Sequence, residues 1–123
     1  MCFAIECERW NRLHPQEPAR KSYVDQMLGT TKGPIVASSD YVRAVPELIG
    51  PYTQGRLLAL GTEGFGRSDT RKALRRFFEV DAESVAVAAI FALAQREELD
   101  RAVAEQAIKD LGLDPERPAP WTM

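Results

Sequence analysis

Between Arg56 and Arg76 the chain carries its sharpest candidate chemistry. An apolar run, Arg56-Leu57-Leu58-Ala59-Leu60, enters Gly61-Thr62-Glu63-Gly64-Phe65-Gly66-Arg67-Ser68-Asp69, and a helical pattern follows. A glycine loop at the carboxyl end of a strand, opening onto a helix, gathers backbone N–H groups and the positive helix end in one place, which suits an anion. Arg67 and Arg71 would add charge there. The spacing Gly61-x-x-Gly64-x-Gly66 is not the dinucleotide fingerprint, however, and no Gly-Lys-Ser/Thr follows to make a phosphate loop. A turn whose glycines allow close chain packing explains the same residues. Arg67, Arg71 and Arg75 recur every four residues, with Lys72 and Arg76 as a neighbouring row, so a phosphate or a partner's carboxylates could be gripped. A solvated face offset by Glu79, Asp81 and Glu83 is the plainer reading. Few aromatic residues interleave with these cations, which argues against single-stranded nucleic acid.

The sulfur and imidazole groups are Cys2, Cys7 and His14. Structural zinc takes four ligands, and this set supplies three, so no metal site is assigned. In a cytosolic setting the two thiols are expected to be reduced. His14 has no nucleophile or carboxylate set beside it by the sequence, so no triad can be built. Its place before Pro15 reads as a helix-terminating residue that hydrogen-bonds locally. Ser38-Ser39-Asp40 ends a strand and starts a helix, where active-site groups often sit, but a helix cap accounts for Asp40. Trp10, Tyr23 and Tyr41 read as packing or interface aromatics. No catalytic, cofactor-binding or metal-binding residue is assigned.

The elements that must position these groups follow from periodicity and stop signals. Glu6 to Leu13 reads as a helix stopped before Pro15. Ser22 caps a second helix, Tyr23 to Leu28, which Gly29 stops. Pro34 to Ser38 and Arg56 to Leu60 read as buried strands. Between them Asp40 is expected to cap a helix from Tyr41 to about Ile49, with Pro46 marking a kink or break. Asp69 is expected to cap Thr70 to Phe78, whose Leu74, Phe77 and Phe78 share one face. Asp81 opens a helix from Ala82 to about Glu98, and Asp100 opens the last, Arg101 to Leu111, ended by Gly112. Alternating helices and strands predict an α/β layer with parallel strands.

The 123 residues are 45% hydrophobic and 28% charged, with a formal net charge of −2, a composition that fits a globular domain and gives no general attraction to nucleic acid or to an anionic membrane. The longest stretch without a charge is Ser84 to Gln95, too short to span a membrane. Glu6 interrupts the start before a signal peptide could form, so the cytoplasm is the expected location. Residues 67–76 hold five bases and one acid, whereas residues 77–123 hold four bases and ten acids. That asymmetry suits self-compensation or subunit pairing.

Two strands, each apolar on both faces, belong inside larger sheets covered by helices, and two strands alone make a poor sheet. The helix around Val85, Val87, Ile90, Phe91 and Leu93 is apolar nearly all round and wants contacts on every side. The patterning therefore implies that a missing segment or a second subunit completes the core.

Cys7-Glu8-Arg9-Trp10-Asn11-Arg12-Leu13-His14-Pro15 resembles a stretch of the homodimeric pyruvate dehydrogenase family, the thiamine-dependent decarboxylating component of the bacterial pyruvate dehydrogenase complex. Ala37-Ser38-Ser39-Asp40-Tyr41 and, most specifically, Leu60 to Arg71 resemble it as well. Phe78-Glu79-Val80-Asp81-Ala82 and Glu98-Leu99-Asp100 arrive in the same order. The resemblance runs from Cys7 to about Asp114. It implies an α/β fold, an incomplete three-layer domain like the transketolase C-terminal domain, with two short parallel strands and about five to six helices. Residues 1–123 would form a single partial domain, with 7–114 similar to the later part of the enzyme's C-terminal domain and 115–123 an extended proline-rich tail. Met1 to Glu6 depart from the family's pattern, which points to a chain cut from a longer one.

By the same resemblance, the parent enzyme binds thiamine diphosphate and magnesium in its first two domains, decarboxylates pyruvate and passes the acetyl group to a lipoyl carrier. Its third domain is mainly structural and helps to hold the dimer. No cofactor is expected on the stretch seen here, and alone it is expected to be inactive. Its partners would be the remainder of the enzyme and a second subunit, with the acyltransferase component an indirect one. The interface residues expected from the overexposed apolar surface are Gly64, Phe65, Gly66, Arg67 and Ile90. The alternative is a stand-alone α/β module that binds a small anion or a nucleotide phosphate at the 61–71 loop. A third reading is a small regulatory protein that replaces the parent's own domain.

Overall fold

The structure, a computed structural model, describes residues 3–64, 66 and 68–122. The chain forms two compact units, Met1–Lys32 and Gly33–Met123. In the first, α1 (Ala4–Leu13) ends where His14 turns its backbone N–H to the carbonyls of Trp10 and Asn11. The His14 ring lies on the Trp10 ring at 4.4 Å, and its Nδ1 is 2.8 Å from the Trp10 carbonyl. A carbonyl only accepts, so Nδ1 carries the proton. Asn11 bonds both the N–H and the carbonyl of Arg20, at 2.7 and 3.1 Å, which folds the proline-rich loop back. The Arg20 guanidinium then sits 3.9 Å from the Trp10 ring centre. Helix α2 (Tyr23–Leu28) starts with a capping box between Ser22 and Asp25 and ends at Gly29, as its residues predict. Cys7 is buried and disulfide-bonded, not the reduced thiol expected from the sequence. Cys2 lies outside the described residues.

In the second unit, β1 (Ile35–Ser38) pairs in parallel with β2 (Leu57–Leu60), with Ile35 opposite Leu57 and Ser38 opposite Leu60. Parallel strands require a crossover, and α3 (Ala44–Glu47) with a 3₁₀ turn at Gly50–Tyr52 provides it. Helix α4 (Arg71–Phe77) follows the glycine loop. Helix α5 (Ala82–Gln95) packs on both strands and on α6 (Arg101–Asp110). The described residues thus hold six α-helices and a two-stranded sheet, the incomplete α/β arrangement the resemblance implies. No described helix is long and apolar enough to cross a membrane.

Two expected caps are different. Asp40 caps nothing, because α3 is shorter than Tyr41–Ile49 and begins after Arg43 without a side-chain cap. The Ser39 hydroxyl instead accepts the Tyr41 N–H at 3.0 Å, making a local turn there. At α4 the cap is Thr70, whose hydroxyl accepts the Ala73 N–H, while Asp69 accepts the N–H of Thr70. Helix α5 also stops earlier than about Glu98. Glu97 turns left-handed at φ 60°, and the Glu98 N–H reaches back to the Leu93 carbonyl. This is the paired closure normally built on glycine. Glu79 (φ 59°) ends α4 the same way and Gly112 (φ 71°) ends α6.

Cover for the sheet is scarce. Among the described residues of this unit, the buried apolar side chains are Phe78, Ala88, Ala94 and Pro120. The largest fully buried side chain is Thr53, a polar one. On α5, Val85, Val87, Ile90 and Leu93 are half-buried, and Phe91 remains 46% exposed.

The start of α5 is the best-secured point. The Asp81 carboxylate accepts the Ser84 N–H and hydroxyl at 3.1 and 2.6 Å and pairs with Arg76 at 3.2 Å. Burial pushes its carboxyl up, but the Ser84 bonds and the Arg76 charge outweigh that and hold it below the ordinary 3.8. With the folded value below the unfolded one, this contribution is complete above the ordinary value and disappears as pH falls through the folded one. Asp81→Asn keeps a capping oxygen and cannot titrate. Urea melts at stepped acid pH should therefore show a smaller loss of stability below about pH 4 than in wild type, and equal losses would contradict the assignment. Glu97→Gly, freed from the left-handed penalty, should gain about 0.5–1 kcal/mol in the same melts.

Candidate functional site

Because the strands run in the same direction, their carboxyl ends deliver residues 39–43 and 61–70 to one edge of the sheet. These loops are stitched together by main chain. The Thr62 N–H donates to the Tyr41 carbonyl at 2.9 Å, and the Glu63 carboxylate accepts the Arg43 N–H at 2.7 Å. The crossing needs Gly61. A Cβ there would collide with the Arg43 nitrogen and lie 2.6 Å from its Cα and 2.8 Å from the Tyr41 oxygen, all backbone atoms.

Beside the crossing is a recess of about 420 Å³ lined by Asp40, Thr62, Gly66, Asp69, Arg71 and Arg75, among others. Its wall carries two carboxylates and two guanidiniums. Two of the backbone donors at the start of α4 are already occupied. Asp69 accepts the Thr70 N–H at 2.8 Å, and Thr70 accepts that of Ala73 at 3.2 Å. A second recess on the far side of Arg71 and Arg75 adds Lys72 and Arg76 to its wall, with Asp81 and Glu83 opposite in charge. Arg76 is engaged by Asp81 and by the Gly112 carbonyl at 2.6 Å. Arg75 reaches Asp40 at 4.0 Å with both side chains well exposed, an arrangement that contributes little.

Of the five expected interface residues, Gly64, Gly66 and Ile90 are among the described residues. Gly64 lies in the loop after β2 with φ 90°, against the backbone of Trp121. Gly66 is exposed at the first recess. Ile90 is half-buried on α5 and does not line the recess that Gly66 lines. Phe65 and Arg67 lie outside the described residues. Sequence reasoning missed a set of long-range ties. Arg117 donates to the carbonyls of Arg76 and Phe77 at 3.1 and 3.0 Å, and the Ser38 hydroxyl donates to that of Val80 at 3.1 Å. These pairs are about forty residues apart, so no periodicity or cap signal could announce them.

A family model described as transketolase-like TK C-terminal domain matches residues 5–81. Among curated proteins, the chain is 48% identical over 96% of its length to the pyruvate dehydrogenase E1 component of Cupriavidus necator. It is 47% identical over 94% to that of Pseudomonas aeruginosa and 44% identical over 94% to that of Escherichia coli. In each case it spans only 13% of the relative's length.

Gly61→Ala tests the loop crossing. With backbone on every side of the added methyl group, it should cost about 2 kcal/mol or more, at the upper end of overpacking effects. Gly33→Ala, where the space is open, should be near neutral in the same thermal melts.

Proposed function

The chain belongs to the transketolase-like C-terminal domain family, and we propose that it serves as the later part of that domain in a pyruvate dehydrogenase of the homodimeric type. Its role in this reading is scaffolding and subunit contact, not chemistry. The parent would decarboxylate pyruvate on thiamine diphosphate with magnesium and pass the acetyl group to the lipoyl carrier of an acyltransferase in the cytoplasm. The observation that carries the reading is the uncovered core. A sheet of two strands and a helix as apolar as α5 are left without a large buried apolar partner beyond Phe78. Each half-exposed large side chain that gained cover in the whole enzyme would recover part of about 1.5–3 kcal/mol.

The described residues do not form a seat for the cofactor. No three His, Cys, Asp or Glu side chains gather into a metal-ligand group among them. The carboxylates at the strand ends, Asp40 and Asp69, share their recess with Arg71 and Arg75, whose charge opposes a divalent cation. By the resemblance, the cofactor and its chemistry belong to other parts of the parent. The glycine loop (Gly64, Phe65, Gly66), Arg67 and Ile90 remain the proposed contact residues. The mixture of carboxylates and guanidiniums in the recess beside the loop favours this structural role over phosphate binding.

The 123-residue chain alone should bind an apolar dye such as anilinonaphthalene sulfonate and melt over a broad range. A longer chain that includes the preceding segment of the relatives' C-terminal region should lose the dye signal and melt sharply. A short chain that melts cooperatively and binds no dye would refute the reading.

A further inference from the structure

We propose that residues 113–122 act as a strap that locks the end of α4 to the glycine loop, with Arg117 as the positioning residue. The proposal goes beyond the scaffold reading, because it concerns contacts that this chain makes with itself.

The strap begins where α6 closes. Leu113 donates its N–H to the Ile108 carbonyl, and the carbonyl of Gly112 takes the Arg76 guanidinium. A turn at Asp114 follows, in which its carboxylate accepts the Glu116 N–H and its carbonyl accepts that of Arg117. This aims the Arg117 side chain back at α4. The guanidinium lies 5.3 Å from the Phe77 ring centre and gives one donor to each of two consecutive carbonyls at the end of the helix. Carbonyls in a last helical turn lack partners within the helix, and a cation there also meets the negative end of its dipole. The planar fork of arginine can serve both carbonyls at once, which a lysine ammonium cannot do in the same geometry.

Beyond Arg117 the chain runs on to the glycine loop. Pro120 is buried, and the Thr122 N–H and hydroxyl both close on the Ala119 carbonyl. The backbone of Trp121 then lies over Gly64, where a Cβ would be 3.1 Å from the Trp121 Cα. The Trp121 side chain is 60% exposed, and the space over Gly64 is filled by its N, Cα and Cβ atoms. Gly64 thus meets two demands together, a positive φ and a close neighbour. The loop and the strap form one unit, held at one end by Arg117 and at the other by this contact.

Hydrogen exchange read by mass spectrometry on the full chain tests the coupling. Arg117→Ala should raise exchange at the amides of residues 61–66 by tenfold or more while those of β1 and β2 stay unchanged. Arg117→Lys should not restore protection. In a Trp10→Phe background, Gly64→Ala should shift the Trp121 emission to the red as the strap lifts. Deletion of residues 118–123 provides a variant that leaves Arg117 and α4 intact, and it should expose the same loop amides. Unchanged loop exchange in Arg117→Ala and in the deletion would overturn the proposal. So would an equal rise across loop and strands, which would mean general loosening without a specific strap.

Discussion

Four residues of parallel pairing, Ile35–Ser38 on Leu57–Leu60, organise the whole second unit. The pairing determines where the two following loops emerge, and it puts both carboxyl ends on one edge. From there Gly61 permits the main chains of the two loops to cross, and Glu63 and Thr62 fasten them. Helix α5 lies on the sheet because its start is secured by Asp81 and Ser84 and its body is too apolar to leave in water. A sheet this narrow gives α5 little area to cover and little cover in return. The half-exposed valines and Phe91 are the direct result of that shortage.

Where local chemistry decides an element, the sequence was readable. Ser22, Asp81 and Asp100 cap the helices that their residue types announce, and Gly29 and Gly112 end theirs. The strands were legible as short apolar runs bounded by glycine and polar residues, and their parallel sense followed from the helices between them. Asp40 illustrates the limit of that reasoning. A residue type that favours caps sits at a suitable place, but the Glu63 carboxylate, twenty residues on, accepts the Arg43 N–H close to where α3 starts. The end of α5 was hidden for a related reason. Glutamate is a poor choice for the left-handed position, and only the surrounding closure keeps Glu79 and Glu97 there.

The candidate site was legible in part. The glycine loop stands at the end of β2 as its composition suggests, and Gly64 does have a positive φ. The basic row was visible too, but its electrostatic balance was not. Arg76 is consumed by Asp81 and Gly112, and the recess nearest the loop mixes both signs. Such balances depend on which acids the fold brings near, and a linear list of charges does not contain that information.

Arg76 has a consequence for handling the molecule. Its guanidinium holds the close of α6 while its own carbonyl receives Arg117. One residue therefore holds the segment that returns to Gly64 at two points, its start and Arg117. A purification tag or fluorescent fusion joined directly after Met123 would exert leverage on those two points through Trp121. A flexible spacer at the same point would let the attached label tumble without prying the turn from the glycine beneath it.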